Sequence, residues 1–487
     1  MTADITLTST GSQAGSLAGT TELTLADVTV SSSGTRLVDR VGLTLGAGVP
    51  LTVIGASGSG KSLLAHALMG TLPTDLEVSG RLEVDGTAHD LSDRPGRGWW
   101  GTRFALLPQE PHLALDPTMR VHPQVAEGVA PGRRRTPEHA AAADRALGSV
   151  GLAGVGRAWP HELSGGMAQR VAYAAATVGG AEVLIVDEPS KGLDAAAVDQ
   201  LADLLLAHVR RGGLLLTITH DLRLARRLGG TVAVMRGAQV IDHGCAADLL
   251  DRPTHAYTRA LVEADPSTWP AHTADPIDTS APVLVHAEGI SRRFGSNRLF
   301  DDLTLELRSG ERCALVGPSG VGKTTLGRTL LGLARPDAGE VRHHRLLDGG
   351  RIQKLYQDPV LSFPQRVPLR GGLQDVVRRH RLPAGRLPAL LDAVGLDGSL
   401  LDRRPGQVSG GELQRLALVR ALLMDPLLLL ADEATSRLDL LTQQQTVDCL
   451  RAELPDACAL LLVTHDQALA AALTDRKVEL GVPTPQL

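Results

Sequence analysis

Two glycine-rich segments constrain this chain more than any other feature. Gly55-Ala56-Ser57-Gly58-Ser59-Gly60-Lys61-Ser62 and Gly317-Pro318-Ser319-Gly320-Val321-Gly322-Lys323-Thr324 both match the pattern G-x-x-x-x-G-K-[ST]. Each follows a short apolar run, Leu51 to Ile54 or Cys313 to Val316, and precedes a helix-like stretch. Such a loop turns its backbone N–H groups inward toward phosphate oxygens, helped by the positive end of the helix behind it. Lys61 and Lys323 are placed to reach β- and γ-phosphates, and Ser62 and Thr324 to offer hydroxyls to Mg²⁺. A bare glycine-rich turn could account for one such segment, but not for two in the same strand–loop–helix setting.

The two segments open a longer repeat. Ser164-Gly165-Gly166 answers Ser409-Gly410-Gly411, Asp187-Glu188 answers Asp432-Glu433, and His220 answers His465. In both copies 23 residues separate the serine from the aspartate, and 33 separate the aspartate from the histidine. A ruler used twice marks an internal duplication. The copies differ early on: Lys61 to Gln109 spans 48 residues and Lys323 to Gln357 only 34, so the first carries extra loop around Pro95 to Trp100. Residues 266–282 are rich in Pro, Ser and Thr and lack an apolar period, which reads as a linker. The expected organisation is a disordered tail over 1–20, domains over 21–265 and 283–480 joined by that linker, and a short tail over 481–487.

Val183 to Val186 and Leu427 to Ala431 are unbroken apolar runs, each ending in Asp-Glu. That pattern suits a parallel strand covered on both faces. Ligands in such folds bind at the carboxyl ends of the strands. Asp187 and Asp432 then fall beside a Mg²⁺ shell, while Glu188 and Glu433 can polarise an attacking water as general bases.

Bulk composition narrows the class. With 43% apolar and 21% charged residues the chain is ordinary for a globular protein, and no apolar stretch is long enough to span a membrane. Its start lacks the basic and apolar regions of a secretory signal. A net charge of −5 argues against a general nucleic-acid binder. Cys245, Cys313, Cys449 and Cys458 are scattered without metal-ligand spacing and read as reduced thiols. Only five of the 49 basic residues are lysines (Lys61, Lys191, Lys323, Lys354 and Lys477), which singles out Lys61 and Lys323 as places where a compact ammonium is wanted.

Leu163-Ser-Gly-Gly-Met-Ala-Gln-Arg170 and Val408-Ser-Gly-Gly-Glu-Leu-Gln-Arg415 resemble the signature of the ATP-binding cassette (ABC) family. The resemblance covers nearly the whole chain, twice. It implies an α/β fold of two P-loop NTPase domains, each with a RecA-like core, an antiparallel β subdomain and a helical subdomain holding the signature. It also implies ATP and Mg²⁺ as cofactors, and an intramolecular cassette dimer closing head to tail around two nucleotides. Ser409, Gly410 and Gly411 would complete the site built on Gly55 to Ser62. Ser164, Gly165 and Gly166 would complete the site built on Gly317 to Thr324. Gln109 and Gln357 look like the Q-loop glutamines that approach Mg²⁺ and the water, His220 and His465 like the switch histidines, and Asp194 and Asp439 like the D-loops that cross the dimer. The family stacks adenine on an aromatic some two dozen residues before the P-loop. Phe294 stands 23 residues before Gly317, whereas the same offset from Gly55 gives Ser32, so weaker nucleotide binding is expected at the first P-loop.

The first copy continues through Asp251-Arg-Pro-Thr-His255-Ala256-Tyr257-Thr258-Arg-Ala-Leu261. This is similar to the Pro-x-His-Pro-Tyr-Thr-x-x-Leu tail of dipeptide, oligopeptide and nickel importer ATPases, with Ala256 in place of the usual Pro and without the cysteine cluster that often follows. The resemblance implies an ATPase subunit energising an importer of peptides, nickel or metal chelates. It would sit on the cytoplasmic face of the membrane with two permease subunits and a substrate-binding protein, and without nucleic acid. Two alternatives stand beside it. A soluble twin-cassette factor acting on ribosome or DNA would be expected to carry a long charged linker, zinc modules or coiled coils. An energy-coupling vitamin or cobalt importer would be expected to lack the tail.

Overall fold

The computed structural model describes residues 21–110, 114–129, 136–273, 278–295 and 297–481, with only the backbone of Gly96 and Arg97. The tail expected over 1–20, and all of 481–487 except Gly481, lie outside the described residues.

Each half is built from an antiparallel sheet, a mostly parallel sheet and a helical layer. In the first half β1 (Glu22–Ser32), β2 (Thr35–Gly46), β4 (Glu77–Val84) and β5 (Thr87–Asp90) form the antiparallel sheet, in the order β2-β1-β4-β5. Leu23, Leu25, Val28 and Val30 alternate onto its buried face. The register shifts between Leu25 and Val28, where Asp27 takes a φ of 53°, and this shift keeps Val28 and Val30 pointing inward. The second sheet contains β3 (Leu51–Ile54), β6 (Phe104–Leu107), β7 (Val183–Asp187), β8 (Leu214–Ile218), β9 (Thr231–Arg236) and β10 (Gln239–Cys245). Its order is β10-β9-β3-β8-β7-β6, parallel except for β10 against β9.

The second half repeats the plan. Strands β11 (Val283–Phe294), β12 (Asn297–Arg308) and β14 (Ala338–His343) are antiparallel. Strands β13 (Arg312–Val316), β15 (Ile352–Leu355), β16 (Leu428–Asp432), β17 (Ala459–Val463) and β18 (Arg476–Glu479) form a parallel sheet ordered β15-β16-β17-β13-β18. All five residues of β7 and of β16 are buried, as expected of strands covered on both faces. In each half one cluster joins the parallel sheet to the antiparallel one, and another joins it to the helices that carry the Ser-Gly-Gly segments. This is the α/β architecture expected from the sequence. The β strand beside each P-loop lies within the parallel sheet, and the Asp-Glu strand is two positions away, which brings both to the same edge of carboxyl ends.

The extra loop of the first half packs as structure. Residues Pro95–Trp99 form a 3₁₀ turn; Trp99 stands edge-on to His89 and Phe104, and Trp100 Nε1 donates to Met69 O at 2.8 Å.

The stretch read as a linker is docked over its first part. After the helix Ala256–Glu263, Pro266–Thr268 form a 3₁₀ turn capped by Asp265. Trp269 lies under the Arg451 guanidinium at 5.5 Å. The His272 N–H donates to Ala471 O at 2.8 Å, and its ring lies 3.0 Å from Asp475. Both contacts are to the second half, because a Pro-rich segment still carries an aromatic and an imidazole that gain by burial and pairing. Tyr257 and Leu261 also pack with Ile54 and Val234 of their own half and Leu440 of the other.

Candidate functional site

The P-loop glycines fit their task sterically. Gly55 has φ 150° and a Cβ there would sit 2.2 Å from Met235 O; Gly317 has φ 145° and a Cβ would sit 2.5 Å from Leu480 O. Only glycine lets the backbone take this path. The helices Lys61–Met69 and Lys323–Leu330 begin directly after Gly60 and Gly322, both left-handed. Neither Gly60 nor Gly322 provides a side-chain cap, so the first amides face the loop interior. Lys61 Nζ donates to Gly55 O and Ala56 O at 2.8 and 2.9 Å, and Lys323 Nζ to Gly317 O and Pro318 O at 2.7 and 2.8 Å. Burial pushes both ammonium groups down, against the pull of Glu188 on one and Glu433 on the other.

Beside each lysine lies a hydroxyl–carboxylate pair. Ser62 Oγ is 3.2 Å from Asp187 Oδ1, and Thr324 Oγ1 is 2.8 Å from Asp432 Oδ1. These are hard oxygen donors of the kind Mg²⁺ takes together with phosphate and water. Among the described residues no cluster of three or more His, Cys, Asp or Glu could cage a metal by itself. Burial, partly offset by Ser62, raises the Asp187 carboxyl.

Glu188 and Glu433 follow the strands with φ of 46° and 47°, a left-handed conformation that costs an ordinary residue about 1 kcal/mol. Their N–H groups are held by Ile218 O and Val463 O at 2.8 and 2.9 Å. Glu188 Oε2 lies 2.7 Å from His220 Nδ1; burial opposes its charge, but His220 and Lys61 outweigh burial and hold the carboxyl below its usual range. His220 is raised in turn, with Glu188 overcoming burial. In the second half Glu433 lies 3.4 Å from His465 Nδ1 and accepts from Gln357 Nε2 at 2.8 Å. Burial again opposes the charge, and His465 with Lys323 keeps Glu433 low. Gln109 stands exposed just beyond β6, and the adjacent Glu110 lies 3.8 Å from Lys191.

Ser164 and Ser409 cap the helices Gly165–Thr177 and Gly410–Leu422, accepting from Met167 N and Glu412 N, both at 3.3 Å. Glu412 returns a bond to Ser409 N, completing a capping box that the first half lacks. Gly165, Gly166, Gly410 and Gly411 form the first turns, whose amides need partners from outside the helix.

The two halves meet through their aspartates. Asp194 caps the helix Ala195–Arg210 with one oxygen and accepts the Ser319 N–H of the other half at 3.3 Å with the second. Asp439 does the same for Leu440–Glu453 and for the Ser57 N–H at 3.2 Å. Phe294 ends β11 with its ring 79% exposed, and Ser32 ends β1.

Two participants escaped sequence reasoning. The Tyr257 hydroxyl accepts the Ala56 N–H at 3.2 Å, while Arg236 lies over its ring. At the matching position of the second P-loop stands Pro318, which has no N–H to satisfy. Lys354 Nζ lies 2.7 Å from Asp432 Oδ2. The scarcity of lysine was the one available signal for Lys354; the tail motif marks Tyr257 but not its partner Ala56, 201 residues away.

Comparison with known proteins identifies the family. The profile of the ABC transporter family matches residues 38–191 and 300–436. The chain belongs to the ABC transporter family. It is 33% identical over 473 residues to the "Uncharacterized ABC transporter ATP-binding protein YejF" of Escherichia coli (strain K12), covering 90% of this chain and 89% of that one. Identity is 32% to the "Peptidoglycan transport ATP-binding protein YejF" of Agrobacterium fabrum, covering 90% and 86%. It is 31% to the "Glutathione import ATP-binding protein GsiA" of Salmonella choleraesuis, covering 90% and 81%. Among solved structures an archaeal ribosome recycling factor superposes with a TM-score of 0.64 over 93% of this chain and 87% of that one, at 21% identity, a likeness of fold. As a member of the ABC transporter family the chain binds ATP and is an ATPase.

Proposed function

We propose that the chain holds two ATP molecules between its halves and uses their hydrolysis to energise an importer of peptides or peptide-like compounds. The observation that carries the two-site reading is the reciprocal bridge, Asp194 to Ser319 and Asp439 to Ser57, which sets each P-loop against the other half. In this reading the Ser409-Gly410-Gly411 helix closes the first site and the Ser164-Gly165-Gly166 helix the second, with free amides facing phosphate. Ser62 with Asp187, and Thr324 with Asp432, would hold a Mg²⁺ ion, with Gln109 and Gln357 as further oxygen donors, and the ion would supply neutralisation of phosphate charge. Glu188 and Glu433 orient a water in line with the γ-phosphate and take its proton, so that ADP and phosphate leave. His220 and His465 hold those carboxylates charged and contact the γ-phosphate.

The cargo class rests on the printed names of the relatives, which speak of peptidoglycan and of glutathione, itself a peptide. Those names favour peptides over the nickel or metal chelates that the tail motif also allows. No helix among the described residues is long and apolar enough to cross a membrane. Two permease subunits, a substrate-binding protein and a place on the cytoplasmic face of the membrane complete the proposal.

Glu188→Gln and Glu433→Gln are each expected to cut ATP turnover by about 10² or more while nucleotide remains bound. Normal hydrolysis in both would sink the catalytic assignment. Cells lacking the chain should lose uptake of labelled short peptides and regain it with wild type but not with the double Gln variant. Uptake indifferent to the chain would remove the cargo assignment.

A further inference from the structure

The two metal-side carboxylates are not in the same company. Strands β6 and β15 each border the Asp-Glu strand, with Leu106 opposite Ile185 and Lys354 opposite Leu430. Leu106 and Lys354 both stand three residues before the Q-loop glutamine and opposite a residue two before the aspartate, so they are equivalent positions. The first half places a neutral side chain there. The second places an ammonium 2.7 Å from Asp432 Oδ2, with the two side chains 11% and 8% exposed. Asp432 therefore has one oxygen against Thr324 Oγ1 and the other against Lys354 Nζ. The ammonium also lies 4.9 Å over the Tyr356 ring, a second attraction that keeps it in place.

Charges this shielded from water interact strongly, and neither gives up its partner without cost. A divalent cation arriving at Asp432 must share that carboxylate with a fixed positive charge. At Asp187 the matching strand position offers no charge, and Ser62 is the hydroxyl partner. Phosphate oxygens entering the second site face a carboxylate already paired with an ammonium, where those entering the first face Asp187 with a leucine at the matching strand position. Few of the chain's basic positions are lysine, and an ammonium is a compact point charge.

We propose that the Lys354 ammonium takes over part of the divalent cation's charge-neutralising role in the second nucleotide site, so that this site holds ATP with little dependence on Mg²⁺ whereas the first requires it. This rests on reading both P-loops as nucleotide sites.

The test is titration of the full chain with a fluorescent mant-ATP, in Mg²⁺ and in EDTA. Lys323→Ala isolates the first site and Lys61→Ala the second. Chelation is expected to weaken the first site by roughly tenfold or more and the second by under about threefold. Adding Lys354→Leu to Lys61→Ala should give the second site the metal dependence of the first. Equal metal dependence at the two sites, or a ratio unmoved by Lys354→Leu, overturns the proposal. Should Lys354→Leu fail to fold, Leu106→Lys in the Lys323→Ala chain supplies the converse. It should free the first site from Mg²⁺, and a first site still dependent on the metal overturns the proposal. Undiminished mant-ATP binding in the Lys61→Ala, Lys323→Ala double variant would instead overturn the reading of the P-loops themselves.

Discussion

Glu188 is buried, His220 half-buried, and the two are close and oppositely charged, so each sets the other's proton affinity. Because the folded His220 imidazole is raised, the pairing stabilises fully below the ordinary imidazole range and is lost as pH rises through the raised value. Because the folded Glu188 carboxyl is lowered, its share is present above the ordinary carboxylate range and lost as pH falls through the lowered value. The pair is therefore strongest between the two. In Glu188→Gln the main upward pull is gone and burial with Lys61 acts against Asp221 alone, so His220 should titrate below its wild-type position in an NMR titration of its Cε1–H signal. An unmoved titration would show that the carboxylate does not govern it. Most residues at these sites were legible in the sequence because their chemistry comes with fixed spacing: a lysine behind two glycines, a glutamate behind a buried aspartate. Lys354 and Tyr257 were not. Their partners are set by which strand lies beside β16 and by how a tail folds back over a P-loop, and neither leaves a local pattern.

Among the elements, the strands and helices around the motifs followed from short apolar runs and the glycine-rich segments that follow them. The two antiparallel sheets differ at their ends, and that difference is functional. Strand β11 finishes on Phe294, an exposed ring free to stack on a planar base, whereas β1 finishes on Ser32. Stacking of a base on an aromatic contributes about 1–3 kcal/mol. Phe294→Ala should weaken mant-ATP binding at the second site by about tenfold, leave the first unchanged, and bring the two affinities together. Equal affinities in the wild-type chain would contradict this. The docking of residues 266–272 was the element least readable beforehand. Its composition suggests a tether, yet Trp269 and His272 have partners that exist only once the second half has folded.

For the whole molecule, the duplication conceals a division of labour. The first site has a leucine where the second has Lys354 on the neighbouring strand, and no aromatic at the expected place. The second has Phe294 and Lys354. Each P-loop is tied to the opposite half by an aspartate that caps one half's helix while accepting an amide from the other half's P-loop. Asp194→Ala and Asp439→Ala each remove both contacts. Either should bring the ATP dependence of turnover toward a Hill coefficient of about one from a higher wild-type value. Unaltered cooperativity would show that the bridges do not transmit.

The pinned segment after the first half has a mechanical outcome. Trp269 and His272 rivet it to the second half, while Tyr257 and Leu261 fasten the preceding helix to the first, beside Ala56. Two plates joined along one margin part as a wedge rather than by sliding away in parallel. Fastened to both halves, the segment keeps Ala56 and Ala471 on a short leash even where the aspartate bridges let go.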